Sequence, residues 1–435
     1  MAKPAFQAPA TPLVDGRSRL VAQSSAREEA GAPESLLFRF RYQLGLTALT
    51  VFTVLLNTLW FPNVNADGYI WVPITRELSA IATSDGRHRF LFALPAWAMY
   101  HLCQLIAPVE RYSPAEFARI GNVWRVENAA FYALSVWFAF DGMRRLTESA
   151  RFAFFFATFV ATSAHFFLNL SFACVNLHGF FVNYLTLWLC AVYVTSSPEK
   201  QRQQIIPFSL LFGTMMLGKA HYNIVGALAL YVLAFERRYL KDVVIFGLLQ
   251  FVPLLLWAKV ILPYGLHSQY ANYEFARPGY SLADYWHSAY LSKGFPRGLF
   301  ALFDAVRRSV WSLISTGMGF GFWLVFLLGV ALTVSRPIGA LLLGYILITD
   351  LYLVLANFSL PRHAEDFGPA LYFYGAMLVS ACAAVLPRRV FFVSFALLVC
   401  GMMYRNYNLD RTEPIHGASF IKDFNVPTFA EAFGI

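Results

Sequence analysis

From residue 43 to residue 405 the chain repeats one pattern, a run of roughly 20 apolar positions closed by a short polar seam. Wound as a helix, such a run crosses roughly 30 Å of hydrocarbon. Runs of this kind lie near 43–60, 127–143, 151–172, 178–197, 241–262, 309–335, 337–357, 367–386 and 389–405. Two stretches fit less simply. Residues 90–107, FLFALPAWAMYHLCQLIA, are apolar but short and hold Pro95 and His101. Residues 208–236 are too long for one span and carry Lys219 and His221 near their centre.

Composition agrees with the pattern. Of 435 residues, 58% are hydrophobic and 17% aromatic, whereas only 14% are charged, against roughly 25% in soluble domains. The expected fold class is an all-α polytopic membrane protein with about 10–13 membrane helices. Residues 1–36 are rich in Ala, Pro, Ser and charge, lack the apolar core of a cleavable signal peptide, and read as a disordered cytoplasmic tail. Residues 37–405 then form one transmembrane domain, and 406–435 a C-terminal tail.

The net charge of +9 does not point to nucleic acid, because the basic residues sit in clusters between apolar runs: Arg144 with Arg145, Lys200 with Arg202, Arg237 with Arg238, Arg388 with Arg389. That is where the positive-inside bias places them. Arg39 and Arg41, ahead of the first span, hold the N-terminus in the cytoplasm. The five cysteines show no CxxC or zinc spacing and read as small packing residues.

Charge also sets the topology. If Arg144–Arg145 and the loop SSPEKQRQQ at 196–204 are cytoplasmic, 90–107 must lie in the outer interface or dip and return. By the same parity 208–236 becomes a pair of half-helices meeting at GKAHYN on the outer side. Residues 263–307 form a large outer loop, dense in aromatics that suit either a headgroup interface or sugar stacking. Arg307 and Arg308 then fall on the outer side, riding in an interfacial helix or meeting an anionic ligand.

A polar set thus collects on the outer face: Asp67, Arg76, Asn176, His178, Lys219, His221, His267, Glu274, Asp284, His287, Arg362, His363, Glu365 and Asp366. Asp67 opens the amphipathic stretch YIWVPITREL, where a carboxylate can cap a helix or take a proton. Lys219, between apolar half-helices, either binds a phosphate or snorkels to the interface. His178 and His221 read as hydrogen-bonded side chains or as ligands of a divalent metal, with no metal cluster of convincing spacing.

The order of elements resembles the GT-C superfamily of polytopic glycosyltransferases, in particular the branch of protein O-mannosyltransferases and lipid A aminoarabinose transferases. The matching segments are LLNTLWFP, NADGYIWVPITRELSA, HRFLFALPAWAMYHLCQLI, SVWFAFDGMRRL, HFFLNLSFACVNLHGFFVNYLTLWL, LLFGTMMLGKAHYN and LPRHAEDFGPALYFYGAML, spread from about residue 43 to 386. The resemblance implies a GT-C-like helix bundle with interfacial and broken helices on its outer face. It implies Asp67 as general base, and Lys219 and Arg362, with Arg76, at the carrier phosphate. Asn176, His178, His221, Glu274, Asp284, His287, His363 and Glu365 are left for acceptor or sugar. Two departures stand out: Gly68 follows Asp67 where the family commonly has a second acid, and Cys174-Val175-Asn176 stands where it often has Arg-x-Asp.

The expected function is therefore sugar transfer from a polyprenyl-phosphate-linked donor to an acceptor hydroxyl on the outer face of a bacterial inner membrane. Membrane lipids are implied partners, as is a protein docking on the outer loop or the C-terminal tail. An inactive scaffold subunit of that fold, and a lipid or solute transporter, are the alternatives the same residues allow.

Overall fold

The computed structural model describes residues 40–60, 68–78, 90–170, 176–216, 240–256, 287, 290–318 and 368–412. Among these the chain is helical, with no strand. The helices are α1 (Arg41–Trp60), α2 (Gly68–Arg76), α3 (Phe90–Ile106), α4 (Pro114–Thr147), α5 (Ala150–Ala161), α6 (Ala164–Asn169) and α7 (Asn176–Thr195). They continue as α8 (Pro198–Met216), α9 (Leu240–Leu249), α10 (Phe251–Leu256), α11 (Arg297–Met318), α12 (Gly368–Val385) and α13 (Arg388–Thr412). A 3-10 turn, Leu291–Lys293, precedes α11.

The long helix α4 is the axis of the fold. Its start is written in the sequence Ser113-Pro114-Ala115-Glu116: the Ser113 side chain caps the helix by accepting from Glu116 N at 3.2 Å, and Pro114 occupies the first turn, where a missing N–H costs nothing. At 34 residues the helix is about 51 Å long, well beyond the hydrocarbon thickness. At least one of its ends therefore reaches beyond the apolar layer. The run read as 127–143 is the inner part of this helix. Polar Arg119, Asn122 and Arg125 interrupt the apolar window without interrupting the helix.

α7 and α5 pack most extensively on α4, and α5 lies in turn against α1 and α12. The α4–α7 approach is close at Gly142, where a Cβ would meet the Trp188 backbone at 3.2 Å. Small residues let membrane helices approach in this way. Aromatic rings fill the centre: Phe156, Phe159, Phe166, Phe180, Tyr132 and Tyr184 are buried, and Phe155 lies 5.1 Å from the Phe395 ring of α13.

The run 151–172 is divided. α5 ends at Ala161 and α6 begins at Ala164, and the carbonyls released at the break are taken by side chains from elsewhere. Tyr132 Oη donates to Ala161 O at 2.5 Å and Asn406 Nδ2 donates to Thr162 O at 2.9 Å. A broken helix in an apolar setting needs such donors.

Other boundaries differ from the sequence reading. Residues 90–106 form one helix through Pro95, which removes the dip-and-return option for that segment. The stretch 196–204 is not a loop throughout, because α8 starts at Pro198. Residues 297–307, read as the end of the outer loop, are already helical in α11. Residues 406–412, read as tail, complete α13.

Two described helices are long and apolar enough to cross a bilayer, α1 over Arg41–Leu59 and α13 over Arg388–Asn408. Both present apolar side chains outward: Val51, Phe52 and Leu55 on α1, Phe392, Val393 and Leu397 on α13. Such faces belong in lipid. Together with the composition, they make the chain an integral membrane protein.

Candidate functional site

Two polar assemblies occupy the first half of α4. The first surrounds Glu116, which is fully buried. Arg76, at the end of α2, grips it with both arms of its guanidinium, Nε to Oε1 at 3.1 Å and Nη2 to Oε2 at 2.7 Å. Tyr100 Oη of α3 donates to Oε1 at 2.5 Å, and Tyr112 N donates to Oε2 at 2.6 Å. Arg76 lies over the Tyr112 ring at 4.4 Å. Around this core, His101 Nε2 meets Arg76 O at 2.9 Å and Trp124 Nε1 donates to Thr75 Oγ1 at 2.9 Å. Burial pushes the Glu116 carboxyl up, but donation by Arg76, Tyr100 and the Tyr112 amide outweighs it and holds the group below the ordinary carboxylate value. The assembly fixes α2 to α3 and α4.

The second assembly lies three turns further along α4. His178 Nε2 of α7 sits 2.9 Å from Glu127 Oε1, and both side chains are buried. The imidazole is flanked by Phe131, ring centroids 4.5 Å apart, and by Trp124 at 6.0 Å. Beside this pair, side chains bind the backbone of the helix ends. Arg125 Nη1 donates to Thr58 O at 3.1 Å, Asn57 Nδ2 to Phe167 O at 2.8 Å, and Asn128 Nδ2 to Asn169 O at 3.1 Å. Here α1 and α6 end and α7 begins, so segments 61–67 and 171–175 both depart from this polar girdle.

The other end of the bundle is different in kind. Asp141, in the last turns of α4, accepts from Arg144 at 2.7 Å, from Arg145 at 2.7 Å and from Trp188 Nε1 at 2.8 Å. The same end gathers Arg41 at the start of α1, Arg151 at the start of α5 and Arg388 at the start of α13. Contacts fix this level: Tyr42 packs on Phe154, centroids 5.2 Å apart, Arg151 Nη2 donates to Ala383 O at 3.3 Å, and Phe155 packs on Phe391 at 5.6 Å. Basic helix ends thus collect at one end of α4, and the buried acid, histidine and amides at the other.

Of the residues singled out from sequence, Arg76 lies in the first assembly and His178 in the second. Asn176 opens α7, two residues before His178. His287 is exposed. Asp67, Lys219, His221, Glu274, Asp284, Arg362, His363 and Glu365 lie outside the described residues, although α2 begins at Gly68, directly after Asp67 in sequence. Sequence reasoning missed Glu116, Arg125, Glu127 and Asn128. A signal for Glu127 was present, since an ionisable residue at the edge of an apolar run is a site candidate by default. Among the described residues no group of three His, Cys, Asp or Glu side chains is placed to hold a metal ion.

No family model matches the chain, and no curated protein matches it. A solved structure does. ArnT from Cupriavidus metallidurans, bound to undecaprenyl phosphate, aligns over 91% of this chain and 78% of its own, with a TM-score of 0.55 and 14% identity. The chain shares the fold of that structure. The resemblance found in the order of sequence elements is therefore borne out at the level of architecture.

Proposed function

We propose that the chain is a GT-C glycosyltransferase that moves a sugar from a polyprenyl-phosphate-linked donor to an acceptor hydroxyl on the outer face of the membrane. The observation that carries this reading is the segregation within one GT-C fold: basic helix ends at one end of α4, and a buried polar girdle at the end from which segment 61–67 departs. The neighbour of that fold holds undecaprenyl phosphate, a carrier of the proposed class. The basic end then faces the cytoplasm, with the N-terminus, in a bacterial inner membrane. The full bundle has about 10–13 membrane helices, with α2 and α3 at the outer interface.

In this reading Asp67 accepts the proton of the acceptor hydroxyl as its oxygen attacks the anomeric carbon. The bond from that carbon to the phosphate oxygen breaks, and its electron pair leaves with the polyprenyl phosphate. Lys219 and Arg362 stabilise the departing charge. Arg76, held by Glu116, positions α2 beside Asp67, and its contribution to the phosphate is electrostatic. Asn176, His221, Glu274, Asp284, His287, His363 and Glu365 are available to the acceptor or sugar, whereas His178, buried against Glu127, serves to hold α7 on α4 and does not itself meet the acceptor.

The test is consumption of polyprenyl-phosphate-linked sugars by the full chain in proteoliposomes, with membrane extract as acceptor. Wild type releases polyprenyl phosphate, and Asp67→Asn loses a factor on the order of 10² to 10⁴. Equal release by both variants removes Asp67 from its role. No release from any donor, with a stoichiometric protein partner co-purifying, replaces the enzyme by the scaffold reading.

A further inference from the structure

Several arginines of the described chain have an acid of their own. Arg76 meets Glu116, Arg111 meets Glu77, Arg144 and Arg145 share Asp141, and Arg307 meets Asp304. Arg151, Arg388 and Arg389 meet no carboxylate among the described residues, and all three are exposed. They occupy one level of the bundle, where α5 and α13 begin and α12 ends. Arg151 Nη2 donates to Ala383 O at 3.3 Å, which ties the start of α5 to the last turn of α12.

Aromatic rings hold two of these side chains. The guanidinium carbon of Arg151 lies 5.8 Å from the centres of both the Phe155 and the Phe391 rings, and that of Arg388 lies 5.7 Å from the Phe392 ring. Phe391 and Phe392 are in contact, centroids 5.9 Å apart, and Phe155 packs 5.6 Å from Phe391. The two guanidinium groups thus rest on a common aromatic floor, and less side-chain freedom is lost when an anion binds them. Their charge is poorly compensated. Glu148, exposed in the turn between α4 and α5, is the described acid nearest to Arg151 in sequence.

Apolar surface begins directly beside this patch. Val385, at the end of α12, is 83% exposed. On α13 the exposed Val390, Val393 and Leu397 follow at spacings of three and four, so they form one stripe leading from Arg389 along a helix long and apolar enough to cross a bilayer. An occupant that meets patch and stripe together carries an anionic head and an apolar tail.

We propose that Arg151, Arg388 and Arg389 form a binding site for one anionic phospholipid. The guanidinium groups hold its phosphodiester, and an acyl chain lies along Val390, Val393 and Leu397. An acidic protein surface matches the charge but not the stripe that runs into hydrocarbon, and a zwitterionic lipid brings a cation of its own to the arginines. The inference depends neither on the sugar-transfer reading nor on which leaflet the basic end faces.

The test titrates the full chain in neutral detergent with phosphatidylglycerol or with phosphatidylcholine and counts bound lipid by native mass spectrometry. The first phosphatidylglycerol is expected to bind up to about 100-fold more tightly than phosphatidylcholine, since each basic residue contributes about fivefold at an anionic head. Arg151→Gln, Arg388→Gln and Arg389→Gln each weaken that first lipid by about fivefold and leave phosphatidylcholine as it was. Arg202→Gln, at an exposed arginine of α8 outside the patch, changes neither. Equal affinity for the two lipids overturns the site, and so does an equal loss in Arg202→Gln, which would mean diffuse attraction to any basic surface. Displacement of the lipid by excess inorganic phosphate would reduce the patch to a bare anion site and overturn the lipid as its occupant.

Discussion

The two ends of α4 each hold a buried carboxylate, and they solve its burial in opposite ways. Asp141 draws on its own helix: Arg144 and Arg145 lie three and four residues on, their side chains 46% and 39% exposed, and only Trp188 comes from another element. Glu127 draws on α7 through His178, whose side chain is sealed from solvent. A local pair ties nothing together beyond its own turn. A pair between helices fixes their register, and at Glu127 it does so where the chain leaves for the segment containing Asp67. The basic end rests on local, exposed pairs, whereas the girdle end sets geometry.

The largest expected effect follows from breaking the Glu127–His178 pair. Replacing either residue alone by alanine leaves the other polar group buried among Trp124 and Phe131, a cost of about 3–5 kcal/mol. Thermal unfolding of the full chain in detergent reads this directly. Replacing both, Glu127→Leu with His178→Phe, recovers most of the loss, because a buried pair and an apolar pair of similar volume are nearly equivalent in stability. If the double change costs as much as the two single losses added together, the pair contributes no coupling and the contrast between the two ends fails.

The Glu116 assembly comes second. Glu116→Gln keeps the volume but turns one of the two accepting oxygens into a donor, so it removes the charge facing Arg76 and two of the four accepted hydrogen bonds, a loss of at least about 1.5–3 kcal/mol. Its pH signature has a definite sign. The carboxyl is held below its ordinary value in the folded chain, so its contribution is complete above the unfolded value of about 4.3 and is lost as pH falls through the lower folded value. Wild type therefore loses stability toward Glu116→Gln below about pH 4.3, and the two melting curves converge. A constant gap across that range would mean that the charge of Glu116 does not stabilise the fold.

A packing change is expected to rank third. At Gly213, in α8, a Cβ would lie 2.1 Å from Gln250 O, between α9 and α10. That neighbour is backbone and cannot rotate away, so Gly213→Ala costs about 1–3 kcal/mol. The effect should leave the Glu127–His178 coupling unchanged, because distant sites add. Double mutants measured by the same melting assay check this.

What the sequence disclosed follows the same division between local and distant. The apolar runs announced α1 and α12 to within two residues and the start of α13 to within one, because where an apolar run meets its flanking charges is a local property. The start of α4 was equally local, in Ser113-Pro114-Ala115-Glu116, but the search for apolar windows passed over it. The break at Thr162–Ser163 was not read, since its local signal, Ser163 capping α6 by accepting from Phe166 N at 3.5 Å, is a single serine inside an apolar run. It is sustained by Tyr132 and Asn406, 29 and 244 residues away from the carbonyls they reach. Likewise His178 stood out as a histidine at a helix start, yet its partner Glu127 lies 51 residues earlier. Arg76 stood out as a cation near Asp67, and its pairing with Glu116 spans 40 residues. Residue type gave the candidates, and only the fold gave their partners.

The smallest expected effect lies at the basic end and is the sharpest check on the comparison. Arg144→Gln or Arg145→Gln leaves Asp141 with the other arginine and Trp188 as donors. Each arginine is substantially exposed, so water and salt already screen the pair, and each change costs about 0.3–1 kcal/mol. The cost shrinks further when salt is raised to about 1 M, where the screening length falls to about 3 Å. The same salt leaves the His178→Ala loss intact, because no solvent reaches that pair. Melting each variant at low and high salt therefore separates the two ends by screening alone: sensitivity at Arg144 and Arg145 with none at His178 sustains the contrast, and equal sensitivity would place both carboxylates in the same kind of environment.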